Sequence, residues 1–117
     1  MEQIVVFGGG GHGKTLLDLL GALGTYRVAG VVDDGLTPAH TVVGVPVIGG
    51  AGVLAELASR GVTLAVNAVG GITAAGMARR VAVFEQLLAA GLACPSLVHP
   101  TAWVEPSAQL EAGVQVL

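Results

Sequence analysis

Five glycines and one histidine stand between Phe7 and Lys14, in the order Gly8-Gly9-Gly10-Gly11-His12-Gly13. The run follows Ile4-Val5-Val6-Phe7, a short apolar β-rich segment of the kind that is buried on both faces of a sheet. It precedes Leu16, Leu17, Leu19, Leu20 and Leu23, which recur at helical spacing up to a stop at Gly24. Val28 to Val32 then reads as a second buried strand, ended by Asp33-Asp34-Gly35. Strand, glycine turn, helix and strand within about 30 residues make one βαβ unit.

The unit repeats loosely. Val45-Pro46-Val47-Ile48 is a short extended piece that its proline demotes to an edge or a loop. Val53, Leu54, Leu57 and Ala58 predict a helix closed by Gly61, and Leu64 to Val69 predicts the third main strand, followed by Gly70-Gly71. Thr73 is placed to cap a helix whose apolar stripe runs through Met77, Val81, Phe84, Leu87 and Leu88 up to Gly91, and Leu97-Val98 is a fourth, very short strand. Alternating strands and helices imply an α/β fold with a parallel sheet and right-handed crossovers. Ligands of such sheets bind at the carboxyl ends of the strands. Three segments converge there: Gly8 to Lys14, Asp33-Asp34 and Gly70 to Thr73.

The tail has another period. Val98, Val104, Leu110 and Val116 recur every six residues, with Ala102, Ala108 and Val114 at the fifth position of each hexad. A hexapeptide period marks a parallel β-helix, each hexad forming one side of a coil with its aliphatic residue inside. Three hexads make about one coil, and a single coil cannot bury its own core, so the chain reads as truncated at Leu117, where more coils are expected.

Composition excludes several classes. Five Lys+Arg in 117 residues, in no cluster, and a net charge of -3 argue against nucleic-acid binding. The uncharged stretch from Gly35 to Ala55 is broken by Pro38, His40, Pro46 and four glycines, so a membrane span is rejected. The N-terminus lacks the basic region of a signal peptide. The single cysteine, Cys94, excludes an internal disulfide, fits a reducing cytoplasm and reads as a packing residue. With 53% hydrophobic residues and few charges, the chain buries most faces or presents apolar surface for a partner to cover.

The glycine loop carries the chemistry. Gly8, Gly10 and Gly13 form a GxGxxG pattern in the strand-to-helix setting that gives the pattern meaning. Glycines admit a phosphate close to the backbone, and a helix N-terminus offers free N–H groups and partial positive charge. Lys14 puts a cation on that first turn, where it disfavours the helix unless an anion binds. Asp33, twenty residues past Gly13, suits the ribose of NAD and equally the ribose or base of a uridine nucleotide, while Asp34-Gly35 also reads as a plain turn. His12 is placed to bond a phosphate, a sugar hydroxyl or the local backbone, and either Arg79 or Arg80 reaches a ligand or lies on a solvated face. Residues alone leave three functions open: a protein acting on a uridine nucleotide, an NAD-dependent oxidoreductase fragment, and a non-catalytic nucleotide-binding module whose hexads serve assembly.

In Val5 to Lys14 with its GGHGK loop, Val32-Asp33-Asp34, Val45 to Gly50, Ala68-Val69-Gly70-Gly71 with Arg79, and the hexads from Val98, the chain resembles the PglD/NeuD-type sugar acetyltransferases. One departure falls at Gly71-Ile72-Thr73, where many relatives carry a polar residue. The resemblance implies a Rossmann-like nucleotide-sugar-binding domain over residues 1–97 and the first coil of a left-handed β-helix over 98–117. It further implies a homotrimer, acetyl-CoA bound between the β-helices, and a catalytic histidine in coils beyond this chain, so no catalytic residue is assigned here. The substrate, a nucleotide sugar of the UDP type, is expected at Gly8, Gly10, Gly11, His12, Gly13, Lys14, Asp33, Asp34, Gly70, Gly71 and Arg79.

Overall fold

The structure, a computed structural model, describes residues 1–70, 73–101 and 115–116. Its elements run β1 (Glu2–Phe7), α1 (Gly11–Leu23), β2 (Tyr26–Val32), β3 (Thr41–Val42), β4 (Val45–Gly49), a 3-10 turn (Ala51–Val53), α2 (Leu54–Ser59), β5 (Leu64–Asn67), α3 (Ala74–Ala89), β6 (Leu97–Val98) and β7 (Gln115–Val116). The main sheet has the order β3-β4-β2-β1-β5. β1, β2, β4 and β5 are parallel, and β3 adds a two-residue antiparallel edge to β4. The chain steps outward from β1 to β2 and β4, then returns to set β5 on the far side of β1. The direction of winding therefore reverses at β1, which places the switch point at its carboxyl end.

β1 is buried on both faces, as its apolar run requires. Ile4 and Val6 join Leu16, Leu19 and Leu20 of α1 in one core, while Val5 and Phe7 join Leu54, Leu57, Val83 and Leu87 of α2 and α3 in the other. The period-2 alternation of a strand thus divides the helices between two layers. Gly24 ends α1 in the left-handed conformation, and the Thr73 hydroxyl accepts from the Gly76 amide at 3.0 Å to cap α3.

Three findings depart from expectation. Pro46 does not sit on an edge strand, because β3 pairs outside β4, opposite Thr41. The inward face of α3 is Gly76, Val83 and Leu87, with Arg80 half-buried between them, whereas Met77, Val81 and Leu88 are at least half exposed. The predicted stripe is thus turned by about one residue, since Arg80 is held inward by backbone carbonyls and brings its face of the helix with it. Leu97-Val98 does not extend the main sheet. It pairs in parallel with Gln115-Val116, each partner 18 residues on (115 − 97 and 116 − 98), which is the length of three hexads. Leu97 is nevertheless buried in the α1-side core. The hexad positions between 102 and 114 lie outside the described residues.

The turn from β1 to α1 depends on missing side chains. Gly8 has φ of 115°, and a Cβ on Gly13 would overlap the Gly8 carbonyl oxygen. Gly21, on the exposed side of α1, has open space where a Cβ would lie. Gly13→Ala is therefore expected to lower stability by about 1–3 kcal/mol through overpacking. Gly21→Ala is expected to raise it by about 0.5–1 kcal/mol through helix propensity. Urea unfolding of both variants checks the pair.

Candidate functional site

The carboxyl ends of β1, β2 and β5 are tied together by backbone bonds that outrun the strands. Gly8 N donates to Val32 O at 2.8 Å, Ala68 N to Phe7 O at 2.8 Å, and Asp33 N to Gly49 O at 2.9 Å. These bonds bring the three expected segments to one edge. A substituent on Gly70 would lie 3.7 Å from His12 Cβ, so the β5 exit and the glycine loop are neighbours. Gly71 lies outside the described residues.

Asp33 reaches across this edge. Its Oδ2 accepts from the Gly9 amide and its Oδ1 from the Gly35 amide, both at 2.8 Å. The carboxylate thus fastens the glycine loop and closes its own turn, and a second lone pair on each oxygen stays available to a ligand. Asp34 Oδ1 accepts from Ala51 N at 2.7 Å and holds the turn that opens α2. Sequence reasoning gave these acids ligand roles or a local turn and missed the tethers to Gly9 and Ala51, because side-chain bonds to distant amides leave no periodic trace.

Gly8, Asp33, Asp34 and Arg79 line one cavity of about 450 Å³, with Phe7 from β1, Val69 from the segment just after β5, and Ala82, Val83 and Gln86 from α3. That volume falls in the range of small-molecule sites. Positions 79, 82, 83 and 86 share a helix face, a spacing that could have flagged Ala82 and Gln86 once Arg79 was chosen. Of the two arginines, Arg79 faces the cavity. Arg80 is structural: its Nη1 donates to Val69 O at 2.9 Å and Asn67 O at 3.3 Å, and its guanidinium lies 5.4 Å from the Phe84 ring centre. A larger cleft of about 580 Å³, lined by Arg27, Glu56 and Arg60, lies where the short α2 leaves the amino-terminal half of β2 uncovered. It is at the wrong end of the strands for a ligand of this fold.

Beside the cavity, α1 begins at Gly11 with neither a side-chain cap nor an acid in its first turn. Gly10 and Gly11 are exposed, have no positive φ, and have open space where a Cβ would lie. Nothing in the fold demands glycine there, unlike at Gly8 and Gly13. Lys14 is exposed on the same turn, and no acid pairs with it among the described residues. The arrangement offers free amides, a helix dipole and a cation to an anion.

The remaining candidates have other tasks. His99 Nδ1 is held by the Thr101 amide at 3.1 Å and hydroxyl at 2.7 Å. Burial pushes the Cys94 thiol above its usual range, only partly offset by Arg80, which is the opposite of what a nucleophile needs. Among the described residues no group of His, Cys, Asp and Glu could hold a metal ion, and no helix is long and apolar enough to cross a membrane.

Removing the Asp33 carboxylate leaves the buried Gly9 amide without an acceptor. Asp33→Ala should therefore cost about 1–3 kcal/mol in stability. It should also loosen the loop, read as faster amide exchange at Gly9 and Gly10, whereas a surface aspartate such as Asp18 should tolerate alanine within about 0.5 kcal/mol.

The sequence profile of the PglD N-terminal domain family matches residues 3–87. The chain is similar over its full length to a variant of perosamine N-acetyltransferase from Caulobacter crescentus in complex with CoA and GDP-perosamine. That likeness has 32% identity and a TM-score of 0.88, over 52% of that protein. PerB from Caulobacter crescentus, also with CoA and GDP-perosamine, is 33% identical with a TM-score of 0.85, again over all of this chain and 52% of the other. The acetyltransferase domain of PglB from Neisseria gonorrhoeae FA1090, in complex with acetyl coenzyme A, is 34% identical with a TM-score of 0.78, over 97% of this chain and 52% of that one. The chain thus spans about half the length of these relatives. None of the curated proteins compared with it matches.

Proposed function

Since the chain belongs to the PglD N-terminal domain family, we propose that it is the nucleotide-sugar-binding half of an acetyl-CoA-dependent sugar N-acetyltransferase. The observation that carries the reading is the first turn of α1. Two glycines there are unexplained by packing, Lys14 on the same turn has no acid paired with it among the described residues, and Gly8 of the same loop lines a cavity with Asp33, Asp34 and Arg79.

In this reading the amides around Gly10, Gly11 and Gly13, with Lys14, hold the diphosphate. Asp33, Asp34 and Arg79 meet the nucleoside, with Gly8 as the cavity floor. Gly70, and Gly71 beyond it, flank the sugar at His12. Acetyl-CoA supplies the acetyl group. The base that accepts the proton of the sugar amine is a histidine of further coils, not His99, whose Nδ1 already serves Thr101. Residues 1–97 form the Rossmann-like unit and 98–117 the first turn of a left-handed hexapeptide β-helix. The 18-residue parallel pairing of β6 with β7 supports that division. The full enzyme is a cytoplasmic homotrimer, and the exposed apolar residues Met77, Val81 and Leu88 support an assembly that covers them. The paired coil strands and the acetyltransferase relatives both speak against the oxidoreductase reading.

Calorimetry with GDP-perosamine, UDP-N-acetylglucosamine and NAD tests the proposal. One nucleotide sugar should bind, and Gly11→Leu should weaken it tenfold or more, about 1.4 kcal/mol, with unfolding unchanged. Residues 1–117 alone should transfer no acetyl group. Heat from NAD and none from either nucleotide sugar would overturn the assignment.

A further inference from the structure

Gln115, on β7, joins the coil to the glycine loop. Its Nε2 donates to Asn67 O at 3.1 Å, and its Oε1 lies 3.0 Å from His12 Nε2. The first bond decides the second. A backbone carbonyl only accepts, so the amide NH2 must face Asn67 and the amide oxygen must face His12. An amide oxygen also only accepts, so His12 Nε2 must carry a hydrogen.

The Asn67 carbonyl cannot easily yield. Asn67 is 1% exposed and pairs with Phe7 in the sheet. Its side-chain Nδ2 donates to Arg80 O at 2.8 Å, and its Oδ1 accepts from Val69 N at 3.1 Å. Among the described residues it is the only buried polar side chain, and all of its bonding groups are satisfied. Among the described residues no group bonds His12 Nδ1.

We propose that Gln115 is a positioning residue that fixes the neutral His12 imidazole as its Nε2–H tautomer. The Nδ1 lone pair is thereby presented to a hydrogen-bond donor of the ligand. This rests on the nucleotide-sugar reading and narrows it. A neutral imidazole held this way accepts from a sugar hydroxyl or ammonium and cannot donate to a phosphate oxygen. The diphosphate is then left to the α1 amides and Lys14, and His12 reads the sugar.

The test has a ligand-free arm and a ligand arm. Long-range 1H–15N spectra of the histidine-labelled chain, taken above the histidine titration range, should show His12 as the Nε2–H form alone. Gln115→Leu should give a mixture of tautomers. Gln115→Glu should keep the Nε2–H form, because a carboxylate oxygen, like the amide oxygen, only accepts. A wild-type Nδ1–H form, or a mixture of tautomers in Gln115→Glu, would overturn the proposal even if Gln115→Leu failed to fold. In the ligand arm, His12→Ala should weaken GDP-perosamine or UDP-N-acetylglucosamine about tenfold and leave GDP or UDP within twofold. Equal losses for sugar nucleotide and bare diphosphate would place His12 on phosphate and refute the proposal. Failure of every nucleotide to bind would instead refute the functional reading, with the spectra still deciding the role of Gln115.

Discussion

The approach of Gly13 to the Gly8 carbonyl governs how α1 leaves the sheet. With no side chain at Gly13, the helix seats directly against the end of β1, so that Leu16, Leu19 and Leu20 reach the α1-side core. The same seating aims the open end of the helix over the point where the winding reverses. Asp33 then fixes the intervening loop from the β2 side through the Gly9 amide. Core packing and the proposed anion site therefore draw on one turn, and neither can be altered there without disturbing the other.

The glycines of that turn divide into two kinds. Gly8 and Gly13 are demanded by backbone conformation and by contact, as any tight strand-to-helix turn would demand them. Gly10 and Gly11 satisfy no internal requirement. Residues that the fold does not need but that leave backbone amides uncovered are better explained by what approaches from outside.

Much of the fold was legible because burial writes a period into the chain. Ile4 to Phe7, the leucines of α1 and the strand before Asn67 each carried their own signature, and the stops at Gly24, Gly61 and Gly91 all adopt positive φ. The face of α3 was misjudged because a half-buried arginine outweighed the apolar spacing: Arg80 turns inward to carbonyls that no hydropathy pattern announces. In the site, the glycine loop and Arg79 could be picked from sequence, whereas the tethering by Asp33 and the network from Arg80 through Asn67 and Gln115 to His12 could not. Those bonds join residues 24, 13, 48 and 103 positions apart, and their partners are known only once the sheet is assembled.

Among the described residues, β6 and β7 are each moored to the sheet unit, at separate points. Leu97 is sunk in the α1-side core, and Gln115, on the strand paired with it, grips both β5 and the glycine loop. A body held at one point can pivot; held at two, it loses its hinge. Under the proposed function, the depth at which a sugar emerges from the loop relative to β7 would thus be set by bonded geometry, in the manner of a ruler. Sugars of differing length would be discriminated by reach as well as by contact.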